Sequence, residues 1–321
     1  MELLIMTRIQ NILVGVDLHH GDRIASSELT DETQAAVDEA LQLAGTWGGN
    51  VTFCSVLELS AQSQSLIEHD HENILKTVED VASAILTKLV NYCNKGGIPA
   101  ESVVRFGTAW EELSKESAQG QYDLVIIGSR PTNLTTKLLF GSTAHKLMRY
   151  SACPVWVVKP AELREIRDVA VGTDLSPASL TVIKVAVTVA RAIGARLHVL
   201  HVLESSDLRY LALGGVPKEK LDIAEEKLRQ SADEKLRDQL HQTDFRTLPH
   251  GVKIEYLHGA TDSVIPEYIT ANCVDLLVIG THSHARISEF LLGNTAERIL
   301  PTVHASLLAV KPDGFKSPYV K

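Results

Sequence analysis

Several residue types that mark specialised proteins are scarce in this chain of 321 residues. Only four cysteines occur, Cys54, Cys93, Cys153 and Cys273, far apart and without C-x-x-C spacing. Neither a disulfide framework nor a zinc ribbon is encoded, and all four are expected to be buried free thiols. The 20 glycines and 11 prolines follow no period, which excludes collagen-like and low-complexity chains. No run reaches the ~18 uncharged apolar residues that a membrane span needs. The most apolar stretch, Leu180 to Leu203, is broken by Lys184, Arg191 and Arg196. The N-terminal apolar run is too short for a signal-peptide core and has no small-residue cleavage pattern, so a cytoplasmic location is expected. A basic excess is missing too: the net charge is −9, and it divides into −7 over residues 1–160 and −2 over residues 161–321. Neither half is a platform for nucleic acid.

What is present is a repeat. Asn11-Ile-Leu-Val-Gly-Val-Asp17 returns as Asp168-Val-Ala-Val-Gly-Thr-Asp174. Asp123-Leu-Val-Ile-Ile-Gly128 returns as Asp275-Leu-Leu-Val-Ile-Gly280, and Leu139-Phe-Gly141-Ser-Thr-Ala144 as Leu292-Gly293-Asn-Thr-Ala296. The spacing between copies is nearly constant, so one domain is written twice, over 1–160 and 161–321, with a short joint near Pro160–Arg167. Each copy alternates branched apolar runs with helical stripes. In the first, strands are expected at Ile9–Val16, Val51–Leu57, Val103–Phe106, Leu124–Ile127 and Pro154–Val158. Helices are expected over Asp31–Thr46, along the stripe Ile74, Val78, Val81, Ile85 and Leu89, near Trp110–Ala118 and over Thr143–Arg149. In the second, strands are expected at Val169–Thr173, Leu197–Leu203, Ile254–Leu257, Leu276–Ile279 and Leu307–Val310. Ser176 caps a helix that opens on Pro177, and Leu221, Ala224, Leu228, Ala232, Leu236 and Leu240 mark another. Such alternation implies parallel sheets with right-handed crossovers.

In open parallel sheets the ligand crevice lies beyond the carboxyl ends of the strands. There each copy places a carboxylate after strand one (Asp17, Asp174), a glycine ending strand four (Gly128, Gly280) and a glycine opening the next helix (Gly141, Gly293). Glycines allow close backbone approach, and N–H groups at a helix start bind phosphate oxygens. Turn chemistry and helix capping explain the same residues without a ligand, and there is neither a G-x-G-x-x-G nor a G-x-x-x-x-G-K-[ST] motif. From Asp123 to Glu162 no acidic residue intervenes, while Arg130, Lys137, Lys146, Arg149 and Lys159 do. This segment reads either as an anion site in the first copy or as a solvated basic face.

The first copy reads Gly128-Ser-Arg-Pro131, nine residues, Gly141-Ser142, and the second Gly280-Thr-His-Ser283, nine residues, Gly293-Asn294. This resembles the G-x-x-G, nine residues, G-[ST] pattern of ATP-binding members of the universal stress protein family. Pro131 and Ser283 stand where that pattern has its second glycine, and Asn294 where it has a hydroxyl. The stretch from Phe290 to Gly314 resembles the two-domain E-type members. The resemblance implies two tandem Rossmann-like domains of the adenine nucleotide alpha hydrolase type. Each would be an open five-stranded parallel sheet with helices on both faces, and the two would pack as a pseudo-dimer through their fifth strands. It implies a nucleotide such as ATP beside Asp17, Val56, Gly128, Gly141, Ser142 and Thr143 in the first copy, with Arg130 adding charge. The second-copy counterparts are Asp174, Val202, Gly280, Gly293, Asn294 and Thr295, with Ser283 in the loop.

Two further readings compete. The phosphate site has decayed and the chain binds an apolar or other small ligand, or protein partners; the apolar stretch Leu208–Val216, read as a loop, motivates this. ATP hydrolysis ranks last, because no base, metal carboxylate pair or phosphate-binding lysine is placed for it. No catalytic residues are expected, and no metal beyond Mg accompanying a nucleotide. His69 with His71, and His282 with His284, lack a third ligand at metal spacing and read as loop residues. His19-His20 reads as part of the loop after Asp17, and His198 and His201 as packing residues of strand two. Nothing in the sequence names a regulatory partner.

Overall fold

The computed structural model describes residues 9–20, 23–24, 29–59, 71–129, 140–160, 165–203, 206–281 and 293–320. They form two compact units, one of residues 8–164 with 315–321 and one containing residues 165–314. The first unit contains β1 (Asn11–Gly15), β2 (His19–His20), β3 (Arg23–Ile24), α1 (Asp31–Trp47), β4 (Asn50–Leu57) and α2 (His71–Lys95). It continues with β5 (Ala100–Phe106), α3 (Ala109–Gln119), β6 (Leu124–Gly128), α4 (Ser142–Tyr150) and β7 (Val155–Val158). The second contains β8 (Asp168–Gly172), α5 (Pro177–Ile193), β9 (Arg196–Leu203), α6 (Ser206–Leu213), α7 (Lys218–His241), β10 (Val252–His258), α8 (Thr261–Ala271), β11 (Leu276–Gly280), α9 (Asn294–Ile299) and β12 (Ser306–Val310).

Within the first unit the strand order is β7-β6-β1-β4-β5, every pair parallel. Within the second it is β10-β9-β8-β11-β12, again all parallel. Strand one therefore lies at the centre, and the chain moves outward to one side and then to the other. Right-handed crossovers put the two sets of helices on opposite faces. The central strands are buried on both faces: Ile12, Leu13, Val14, Leu124, Val125 and Ile126 are shut off from solvent, as are Val169, Ala170, Val171, Leu276, Leu277 and Val278.

The repeat extends to local chemistry. Thr30 caps α1 by accepting from Thr33 N, and Ser176 caps α5 by accepting from Ser179 N. Both helices end on a glycine in the left-handed region, Gly48 at φ 65° and Gly194 at φ 69°, where a β-carbon would be strained. Asp123 Oδ2 accepts from the backbone N–H groups of Gln10 and Asn11 at 2.8 and 2.9 Å. Asp275 Oδ2 accepts from those of Arg167 and Asp168 at 2.8 and 3.0 Å. The aspartate that opens each fourth strand thus ties down the start of the first, a structural role.

Four expectations change. Cys273 is exposed, whereas Cys54, Cys93 and Cys153 are buried; Cys273 sits in the tight turn after α8, with φ 50°. In α2 the buried residues are Ala82, Leu86 and Cys93, while Ile74 and Val81 are exposed, so the apolar stripe is rotated from the one expected. Residues 206–213 are helical rather than a loop, and Gly214 and Gly215 end that helix, Gly215 at φ 84°. His19-His20 pairs with Arg23-Ile24 in a short antiparallel ribbon.

Candidate functional site

A cleft of about 700 Å³ opens at the carboxyl ends of the second unit's strands. Its volume lies in the range of small-molecule sites. The turn after β8 forms one wall. There Thr173 Oγ1 accepts from Leu175 N at 3.0 Å and donates to Ser179 Oγ at 2.9 Å. Asp174 Oδ1 accepts from Ser176 N at 3.0 Å. Gln239 of α7 donates to the Ser176 carbonyl at 2.8 Å. This network holds Leu175 at φ 59°, a conformation that branched-chain-sized residues adopt only when their surroundings enforce it.

Of the second-copy residues expected to meet a nucleotide, Asp174, Val202, Gly280 and Thr295 line this one cleft. Gly293 caps α9, and its N–H donates to the Thr281 carbonyl at 2.7 Å. Asn294 is the first residue of α9. Ser283 lies outside the described residues, as do His69, His282 and His284.

Other residues also line the cleft, among them His201, which the sequence suggested as a packing residue. His201 stands on β9, and its Nδ1 lies 2.9 Å from the Thr173 carbonyl. A carbonyl only accepts, so Nδ1 carries a hydrogen, and in the neutral ring Nε2 is an acceptor. From α7 come Leu228, Ser231, Ala232 and Lys235. Leu200, Leu203, Ile265, Ile279 and Ile299 make the cleft substantially apolar. Only Leu228 and Ala232 were legible beforehand, as part of the α7 stripe. The neighbouring His198 does pack: it is buried between Asp168 Oδ1 at 2.8 Å and the Tyr268 hydroxyl at 2.9 Å.

In the first unit, half-buried Asp17 follows β1, Val56 is buried on β4 and Gly128 ends β6. Gly141 caps α4; Ser142, its first residue, is exposed, and Thr143 is half-buried. A β-carbon on Gly128 would overlap the Glu32 carbonyl of α1, so helix-to-strand packing alone demands glycine there. Arg130 and Lys137 lie outside the described residues. The rest of the basic segment is divided: Lys146 is exposed, Arg149 half-buried and Lys159 buried. Lys159 is buried over the Phe140 ring at 4.6 Å, and burial pushes its ammonium down to about 8. Lys146 stands over the Trp110 ring at 4.8 Å. Among the described residues no group of three or more His, Cys, Asp or Glu could hold a metal ion, and no helix is long and apolar enough to cross a membrane.

Comparisons with known proteins agree with this architecture. The model of the universal stress protein family matches residues 8–159 and again 165–311. Universal stress protein E of Photorhabdus laumondii is 25% identical over 329 residues, covering 98% of each chain. Universal stress protein E of Escherichia coli is 25% identical over 332 residues, covering 98% of this chain and 97% of its own. Among solved structures, a putative universal stress protein from Pseudomonas aeruginosa aligns with a TM-score of 0.66 at 21% identity, over 97% of this chain and 96% of its own. One from Archaeoglobus fulgidus aligns with a TM-score of 0.67 at 17% identity, over 94% and 98%. With an all-parallel strand order in each unit and two matched segments, the chain belongs to the universal stress protein family.

Proposed function

We propose that this stress protein binds an adenine nucleotide in its second copy. The observation that carries the reading is the cleft of about 700 Å³ in which Asp174, Val202, Gly280 and Thr295 converge from four separate stretches of sequence. Asp174 would accept from ribose hydroxyls, and His201 Nε2 from an adenine amino group. The backbone N–H groups of Asn294 and Thr295 would face phosphate oxygens, with Lys235 as the cation on the opposite wall. Any magnesium would arrive with the nucleotide. Binding rather than turnover is proposed. Isothermal titration with ATP tests this: saturable binding is expected, weakened at least tenfold in Asp174→Ala. Binding unchanged in that variant would refute the assignment.

The apolar lining by Leu200, Leu203, Leu228, Ile265 and Ile299 favours a second reading, in which the same cleft holds an apolar ligand. Native mass spectrometry of the purified protein separates the two. A retained apolar molecule, released without ATP competition, would favour the second.

A further inference from the structure

We propose that the second copy carries another ligand site, for a small organic anion with an apolar body, away from the carboxyl ends of its strands. A pocket of about 420 Å³ lies where α7 ends and β10 begins. Its floor is Leu240 and Leu248, both buried, with Val252 and Ile254 entering from β10. The strand's other end, at His258, points toward the cleft side of the sheet, so the two sites are separate and the failure of one leaves the other standing.

The rim is cationic. Arg237 and His241 are four residues apart and so share one face of α7, and Arg246 faces them from the turn that follows. Arg246 lies over the Phe245 ring at 5.4 Å and donates to His241 Nδ1 at 3.0 Å. These contacts fix the guanidinium without neutralising it. Among the described residues Arg246 has no carboxylate partner. The adjacent Asp244 pairs instead with Arg191, at 3.2 Å. Arg237 uses its Nε on Asp233 at 2.6 Å, which leaves its terminal N–H groups for a ligand. Asp233 offsets Arg237, and the carbonyl end of α7 carries roughly half a negative charge, less than the full charge of Arg246. Among the described residues no carboxylate lines the pocket. Gly251, at φ 70° with no atom near the place of a β-carbon, keeps the mouth open. The Arg246 guanidinium, with the terminal N–H groups of Arg237, over an aliphatic floor suits a carboxylate with a hydrocarbon tail.

The test is an amide NMR titration of the full chain with octanoate, with octan-1-ol as the uncharged control. Octanoate should give saturable shifts at Leu248, Gly251 and Val252. Its affinity should fall at least tenfold in Arg246→Ala, an exposed change whose remaining spectrum should match the parent. Octan-1-ol should not saturate, and phosphatidylglycerol vesicles should leave these amides unmoved. The proposal is overturned by any of three results: no saturable shift there, octanoate affinity equal in Arg246→Ala, or shifts produced by vesicles alone.

Discussion

Gly15 and Gly172 end the first strands of the two copies, and their surroundings differ. Ile127 Cγ2 and Leu113 Cδ1 press on Gly15, 2.9 and 3.3 Å from where a β-carbon would stand. The corresponding residues in the second copy are Ile279, at the same place in strand four, and Ile265, likewise the fifth residue of its helix. Ile265 Cδ1 comes no nearer than 3.8 Å to a β-carbon on Gly172, and both isoleucines line the cleft. The connection to the first helix differs as well. Sixteen positions separate Gly15 from Asp31, but only five separate Gly172 from Pro177. One scaffold is thus differently finished at the carboxyl ends of its strands: side chains press on Gly15 in the first copy, and in the second the same positions wall a cavity. Duplication preserved what holds the sheet together and left the crevice free to diverge.

That contrast can be broken at several points. The shared scaffold predicts that Asp123→Ala and Asp275→Ala each destabilise the chain by about 3 kcal/mol, since each removes two charge-assisted bonds to backbone N–H groups. Urea unfolding should show similar losses; a loss in one copy alone would deny the common role. The divergent crevice predicts unequal effects at the paired glycines. Gly15→Ala must displace Ile127 and Leu113 and should cost about 2 kcal/mol. Gly172→Ala meets only ordinary contact and should stay within about 0.5 kcal/mol of the parent. Equal effects would remove the packing difference.

A smaller effect concerns α1. Glu39, its ninth residue, stands where α5 has buried Val185. Its Oε1 is shut off from solvent without a hydrogen-bond partner among the described residues, and burial pushes the carboxyl up from 4.5 to about 7. The folded state therefore holds this proton more tightly than the unfolded state. Its contribution favours folding at low pH and is lost as pH rises from about 4.5 to about 7. Glu39→Gln should flatten that slope by up to about 2 kcal/mol. Unfolding measured from pH 4.5 to 7.5 that keeps the same slope in the variant would place the titration elsewhere.

Much of the architecture was legible because buried parallel strands are continuous apolar runs, and the repeat put each of them on record twice. The outer strands were read short. Glu101 and Ser102 in β5, and Lys253 in β10, are exposed polar residues, as expected at the border of a sheet, and they mask strand character. Helix α6 was hidden by the Gly214-Gly215 pair that ends it. At the site, Asp174 and Gly280 were legible because they lie at strand ends, whereas Val202 and Thr295 followed only from the resemblance to the family's nucleotide site. His201, Ser231 and Lys235 were not, because a half-buried strand histidine and two polar residues on a long helix carry no local mark of the cavity they border. Only tertiary packing brings them together.

The central claim is that the second copy's cleft is the nucleotide site, and paired blocking substitutions test it most directly. Thr295 lines the cleft, and Thr143 holds the corresponding place at the start of α4. ATP titration should give one equivalent bound per chain, abolished by Thr295→Trp and kept in Thr143→Trp. Binding that survives Thr295→Trp and disappears in Thr143→Trp would move the site to the first copy and contradict the account.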